Sequence, residues 1–586
     1  MITNKHLVIP AGEIYEVADA ISCTSLEIQE GAVIQAAGSG IVILTVNGVQ
    51  KELLPGPYTG DILLARTKGT ELDIVDHGRQ VHHTMPVAVS IIDGKYCEEA
   101  STPSAVLSGQ IMDGECNDLT VISRGDNFGG IYVGGKGKYV LNNAVFDLVG
   151  NGANDGFGYG AAIAVRDEAE LEVNRARIHN VGSIRTALVT CGHGTVVVND
   201  SVMYCKDGNR KNYVHAMSKA PWMLGIQGRV RSTNAQDYAT VTHNRCEITA
   251  QNWGALSTDG TKEVHLVLND CTVRTEESGY GTYVMGENCS TTFRGCRIET
   301  ADYGAICCSG GTCNMQDETR VISRKNGVMS HRGNAEVHIS DTSIHSKREV
   351  FLYKDAGGCL SLDHVTLHSD IGVLLRTIKD DDPNGRVATM GPETVMDVPP
   401  GGFPEENRQA PGGPGGAPGG PGDGPGGPGG GPGSPGGGPG GPGGPGRPGN
   451  GGSPEYPLHV TVKNSILTGD LLNGCTAESG LDIRLVNTVI RGSISSCTVH
   501  HINGLPDTKE QYMEIGVVES FNCPNDDAHG VSLTLEAGAN WHVTEPSYLR
   551  SLIVGEGCSV TGAALYVNGQ RTELRPGTYT GQIALK

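Results

Sequence analysis

The sequence predicts an all-β solenoid, and three observations carry that expectation. First, one unit is written five times between Trp253 and Ser369. Each copy opens on a short apolar run: Trp253-Gly254-Ala255-Leu256, Tyr280-Gly281-Thr282-Tyr283, Tyr303-Gly304-Ala305-Ile306, Asn326-Gly327-Val328-Met329 and Glu349-Val350-Phe351-Leu352. The starts at 253, 280, 303, 327 and 350 lie 27, 23, 24 and 23 residues apart, and a period of about 20–50 residues marks stacked repeats. Second, each copy closes on strictly alternating residues, as in Asp270-Cys271-Thr272-Val273-Arg274-Thr275 and Asp341-Thr342-Ser343-Ile344-His345-Ser346, which is the pattern of half-buried strands. Third, the 586 residues include 86 Gly and only 5% aromatics. A core of Val, Ile, Leu, Cys and Thr stacked from turn to turn needs little aromatic bulk. Unrelated β-hairpins are the competing reading, but they have no reason to keep five copies in phase.

Net charge and hydropathy exclude several partners. The chain carries a formal charge of −21, whereas phosphate binding needs a basic stripe, so no nucleic-acid partner is expected. No run of about 18 apolar residues exists, so no membrane partner is expected. The start Met1-Ile2-Thr3-Asn4-Lys5 is followed by no apolar signal core, which reads as cytoplasmic; a trimmed chain would read the same. Seventeen cysteines show no paired CxxC spacing, so neither a metal nor another cofactor is expected. Cys246, Cys271 and Cys296 lie 25 apart and are expected to form one interior column of free thiols, which suits a reducing compartment.

Taken in order, residues 1–100 are expected to form an N-terminal β cap. They contain Val46-Asn47-Gly48, Leu54-Pro55-Gly56 and Tyr58-Thr59-Gly60, and residues 546–586 repeat this with Val567-Asn568-Gly569, Arg575-Pro576-Gly577 and Tyr579-Thr580-Gly581. Asn-Gly is the strongest short hairpin signal, so a β-hairpin unit stands at each end. Such units cover the open strand edges of a solenoid; the rival reading is an oligomerisation module, and a homo-oligomer through caps or lateral face remains open. Coils are expected over 101–398 and 455–545. The segment 399–454 is nearly all Gly and Pro, a composition that cannot bury enough surface to fold. Its flanks, Gly372-Val373-Leu374-Leu375 and His459-Val460-Thr461-Val462, read as two halves of one coil. The tract is therefore expected to be a disordered loop spliced into a single turn.

This grammar, over roughly residues 100 to 500, resembles the right-handed parallel β-helix proteins of the pectin-lyase-like superfamily. The resemblance implies three parallel sheets around a narrow core and a carbohydrate groove on the outer face. It also implies a choice among lyases, hydrolases, isomerases and adhesins, since fold does not settle function. Gly192-His193-Gly194 matches the Gly-His-Gly of polygalacturonase-like hydrolases, but the acidic motifs that precede it in that family and the Arg-Ile-Lys that follows are missing. Asp380-Asp381-Asp382 reads as a solvated charge run beside the loop.

Period two also allows the outward columns to be read. In the closing strands, Arg274, Arg297, Glu299 and Arg320 share a patch, with His345 and His368 one or two coils beyond. The opening strands supply a second cluster, and the expectation prefers it. There His331 and Lys354 stand as candidate bases, Arg332 as the group that steadies negative charge and Asp355 as its partner. Close cations are expected to hold His331 or Lys354 unprotonated. Tyr353, Asp259 and Arg376 join the cluster as substrate contacts. Trp253, Tyr280 and Tyr303, with Tyr213 and His215 from an inserted segment near 206–219 and Trp222 just after it, are expected to wall a groove by stacking on sugar; packing at coil corners is the alternative for these aromatics. The sequence thus points to a carbohydrate-active enzyme (lyase, hydrolase or isomerase) acting on a glycan or small glycoside. A non-catalytic, adhesin-like binding or assembly protein is the alternative.

Overall fold

A computed structural model describes all residues except 1, 19, 38–41, 52, 77–78, 153–155, 209–222, 260–261, 383–455, 475–479, 507–508 and 525–529. Strands dominate it, the exceptions are short 3-10 turns, and no α-helix occurs among the described residues. From the strand Arg79–Ile92 onward, most strands pair in parallel with the equivalent strand of the next repeat, while Val106–Ile111 and Val518–Asn522 pair antiparallel at the side of the stack. The register follows the sequence period: Thr282 lies beside Ala305, Ala305 beside Val328, Val328 beside Phe351 and Phe351 beside Leu375. The result is a long mixed sheet of stacked repeats, solenoid-like, around one continuous apolar core. Among the described residues no helix is long and apolar enough to cross a membrane.

The turns between strands are set by a repeated corner. Asp118, Asn143, Arg175, Asp200, Arg245, Asp270 and Asp341 all have left-handed φ between 45° and 55°, and Asn and Asp tolerate that region best among residues with a side chain. One residue before the corner, Asn117, Asn142, Asn174, Asn199, Asn244 and Asn269 are linked side chain to side chain at 2.8–3.0 Å. At several corners the next residue is a small hydroxyl or thiol that turns inward, while Leu119, Ala144 and Ala176 fill that position at others. Cys246, Cys271 and Cys296 each donate to a carbonyl two residues back at 3.3 Å, and Ser201 and Thr342 do the same at 2.8 and 2.7 Å. The three cysteines are buried and free. These corners satisfy polar groups locally, which lets the coils turn tightly.

The strands on either side of residues 383–455 rest on the same neighbour. Phe351 to Lys354 pair with Leu375 to Ile378, and Gly358 to Asp363 pair with Leu458 to Lys463. The ladder therefore continues across the Gly/Pro tract, and the tract itself lies outside the described residues.

The two terminal units share one topology. In each, a strand (Ile21–Ile28; Ser547–Val554) runs antiparallel to a long strand (Gly56–Arg66; Gly577–Leu585), which also pairs with the first arm of a hairpin (Val42–Val46; Leu565–Val567). Asn47 and Asn568 both carry φ near 50°, and their side chains accept the backbone N–H of Asp61 and Gln582 at 2.8 and 3.0 Å. Tyr58 and Tyr579 close the next turn by donating to Leu54 and Arg575 carbonyls at 2.7 and 2.8 Å. The C-terminal unit pairs directly with the last coil, Ser532 lying beside Ser551. The N-terminal unit builds a sheet of its own over a separate apolar cluster centred on Leu26, Leu44 and Leu64.

Candidate buried ionic site

In the opening strands the parallel register creates two outward rows. One runs Ser257, Tyr283, Ile306, Met329, Leu352 and Arg376. The other carries Met285, Cys308, His331, Lys354 and Ile378. Both rows are covered. Tyr283, Ile306, Met329 and Leu352 pack against Leu224, Ile226 and Val518, which arrive from distant parts of the chain. An unbroken apolar run such as Val350-Phe351-Leu352 is the sequence sign of a strand buried on both faces.

His331 and Lys354 are adjacent rungs, as the sequence suggests, but they are not an open catalytic pair. Residues Asp380 to Asp382 fold over them. Lys354, 1% exposed, lies 2.7 Å from Asp381, 3.4 Å from Asp382 and 3.7 Å from Asp380. His331 Nε2 lies 3.2 Å from Asp380 and 3.0 Å from Asp382. Arg332 donates through Nε to Asp380 at 2.9 Å. Asp381 also accepts the Gly516 N–H at 2.6 Å and faces His501 at 3.1 Å, while Asp382 accepts the Leu224 N–H at 3.2 Å. Asp355 accepts the Asp380 N–H at 3.0 Å and fixes the start of the acidic run. The run expected to be solvated is thus mostly buried, because three cationic side chains there demand counter-charge.

The electrostatics reverse the expected role of the base. Desolvation opposes a charge on His331, yet its bonds to Asp380 and Asp382 prevail and raise its pKa well above the ordinary imidazole value. Desolvation likewise opposes the Lys354 charge, and Asp381, Asp382 and Asp380 together raise it. Burial would lift Asp380 and Asp381, but His331, Lys354, Arg332 and His501 hold both below the usual carboxylate range. Acidic neighbours outweigh the cations, so His331 and Lys354 keep their protons near neutral pH.

Other expected contacts separate. Tyr353 lies between the two outward residues Leu352 and Lys354, so period two turns it into the core, fully buried. Trp253, Tyr280 and Tyr303 are buried too, and they pack with Leu224, Ile226 and Tyr283 rather than walling an open groove. Asp259 ion-pairs with the buried Arg231. Arg376 belongs to a second buried group: it lies 3.0 Å from Glu349 and donates to the Val518 carbonyl at 2.7 Å, as Arg348 also does. Tyr213, His215 and Trp222 lie outside the described residues. His193 of the Gly-His-Gly stacks on Tyr238 at 4.6 Å.

The closing strands keep their columns in the open. Arg274 is in register with Glu299, Glu299 with Ile322, Ile322 with His345 and His345 with His368. Arg297 is beside Arg320. Glu299 accepts from Arg274 at 2.8 Å and from Arg297 at 2.6 Å, which holds its pKa below the usual range. Arg320 is exposed in the adjacent rung. Further along this face His179 and Tyr204 stack at 5.8 Å. Sequence reasoning missed Asp370, which lies 2.8 Å from His345 and 3.3 Å from His368.

Among the described residues three groups have donor atoms close enough to hold a metal: His331/Asp380/Asp382, Glu336/His338/Cys359 and His345/His368/Asp370. In the first, Lys354 and Arg332 already occupy the carboxylates. Compared with known protein families and with curated proteins, the chain matches none.

Proposed function

We propose that this chain is a right-handed parallel β-helix of the pectin-lyase-like kind, and that its closing-strand face binds an anionic glycan without cleaving it. The carrying observation is the exposed column around Arg274, Arg297, Glu299 and Arg320, in which two guanidinium groups share one carboxylate and a third, Arg320, stands exposed on the rung next to Arg297. On a chain of net charge −21 that local excess of cations is a place for a carboxylated or sulfated sugar. Arginine offers paired donors of fixed geometry, and rungs about 4.8 Å apart present them at regular intervals along an extended polymer. Tyr204 on the same face offers a ring for stacking. The buried ionic site supports binding over turnover, because its His and Lys are held protonated and its carboxylates are neutralised. The test is binding of an oligouronate and of a neutral glucan of equal length. Arg297→Glu/Arg320→Glu should weaken uronate binding by at least about tenfold, roughly 1.4 kcal/mol, and leave the neutral glucan unchanged. Equal binding by this variant and the parent, or release of shortened or unsaturated sugar by the parent, overturns the reading.

A second reading keeps the enzyme, and one arrangement favours it. Cys308 Sγ lies 3.9 Å from His331 Nδ1 while His331 Nε2 faces Asp380 and Asp382. His331 would then serve as a general acid rather than a base. Turnover of any glycan that falls about 10²-fold or more in His331→Gln would favour this reading over binding alone.

A further inference from the structure

Of the three groups able to hold a metal, one has the chemistry of a free site. The Glu336/His338/Cys359 group includes a half-buried thiol that burial, with Glu336 beside it, keeps protonated, and a protonated thiol is a poor ligand. The His331 group belongs to the ionic site already described. The third group consists of His345, His368 and Asp370, all exposed to solvent, with side-chain exposures of 50%, 65% and 46%.

We propose that His345, His368 and Asp370 form a binding site for a divalent transition-metal ion of the zinc class. The parallel ladder places the two histidines on adjacent rungs, and their ring centroids are 4.6 Å apart with planes crossed at 73°. Both turn Nε2 toward one carboxylate oxygen, Asp370 Oδ1, at 2.8 and 3.3 Å. All the donor atoms lie within 4.8 Å of one another, and Zn–N and Zn–O bonds of about 2.0–2.2 Å span a triangle of that size after small side-chain turns. Asp370 is held at this corner because its N–H donates to the Ser346 carbonyl at 3.0 Å and Gly372 turns the chain at φ 75°. Two imidazoles and one carboxylate suit Zn²⁺, Ni²⁺, Cu²⁺ or Co²⁺, whereas Ca²⁺ and Mg²⁺ prefer all-oxygen shells. Three protein ligands also leave a coordination position open to solvent or to a ligand oxygen. The site does not depend on the glycan reading: metal binding is read without any sugar present.

The test uses the full chain, stripped of metal, titrated with ZnCl₂ in a calorimeter and with CoCl₂ in a visible spectrum. One equivalent of Zn²⁺ is expected to bind, with visible d–d bands from Co²⁺, and CaCl₂ should give no heat. His345→Ala and His368→Ala should each weaken Zn²⁺ by at least about tenfold and abolish the Co²⁺ bands, while Lys136→Ala, at an exposed position outside both sites, leaves both unchanged. Circular dichroism confirms that the variants stay folded, as exposed substitutions should. Absence of the single-equivalent site in the parent, or Zn²⁺ binding that survives His345→Ala/His368→Ala at parental affinity, overturns the proposal.

Discussion

Replacing Lys354 with Met should open the buried ionic site, and the size of the effect follows from its surroundings. The Lys354 ammonium is 1% exposed and faces Asp381, Asp382 and Asp380 at 2.7, 3.4 and 3.7 Å. With Arg332 and protonated His331 it balances three carboxylates, so its removal leaves one buried negative charge without a counter-ion. Breaking a buried pair in this way destabilises by roughly 3–5 kcal/mol. A solenoid does not unfold as one unit, so the loss should be local. Hydrogen exchange of the strands Asn326–Ser340, Phe351–Asp363 and Val373–Ile378 should speed up by roughly 10²–10⁴-fold, the equivalent of that energy at about 1.4 kcal/mol per decade where these strands exchange by local opening. The terminal units should be unaffected. Adding Asp381→Asn restores the charge balance and should recover much of the protection. If Lys354→Met exchanges like the parent, the acidic run is not the counter-charge of this lysine and the neutralised-site argument fails.

Four other outcomes are expected. His331 has a folded pKa above its unfolded value of about 6.5, so it contributes stability that is fully present below about pH 6.5 and fades as pH rises through the folded pKa; urea unfolding across this range should show that slope in the parent and lose it in His331→Gln. Asp380 and Asp381 have depressed pKa values, so their contribution holds above about pH 3.9 and is lost only as pH falls through the folded values; Asp381→Asn should flatten the acid limb of the same curve. Cys246, Cys271 and Cys296 are buried free thiols, so peptide mapping after alkylation should find them unlabelled in native protein and labelled in denaturant without reductant. Deleting 400–453 should move the thermal midpoint by no more than about 2 °C, since the flanking strands rest on Phe351–Asp363 independently of the tract.

The closing-strand columns were legible in the sequence because one face of those strands is wet: alternation there separates Val273 and Ile298, inside, from Arg274 and Glu299, outside. The opening strands hid their site for a physical reason. Their outward row is covered by segments far away in the chain. Val518 reaches Arg348 across 170 residues and Gly516 reaches Asp381 across 135, and no local pattern encodes such contacts. Two signals could have helped. Ile306, Met329 and Leu352 are apolar at positions a wet face would make polar, which says the face is covered. His331, Arg332 and Lys354 under such a cover need anions, and Asp380-Asp381-Asp382 is the acidic run nearest in the chain. Tyr353 failed differently, since strict alternation from Lys354 already turns it inward.

The terminal units have a consequence for how molecules of this protein meet. Strands there pair at an offset of 19 residues, Ile2 beside Ile21 within the N-terminal unit and Ser532 beside Ser551 where the last coil meets the C-terminal unit, shorter than the 23 that separates Val328 from Phe351. At the C-terminal end this shorter turn is followed by reversal of strand direction in Gly577–Leu585. A neighbouring copy that tried to continue the stack there would meet an antiparallel strand in a narrowed turn, out of phase with its own first coil. The shape thus limits tail-to-head fibre growth, the hazard of any structure built by repeating one parallel rung. The limit comes from a geometric mismatch rather than charge repulsion, so it should persist at high salt.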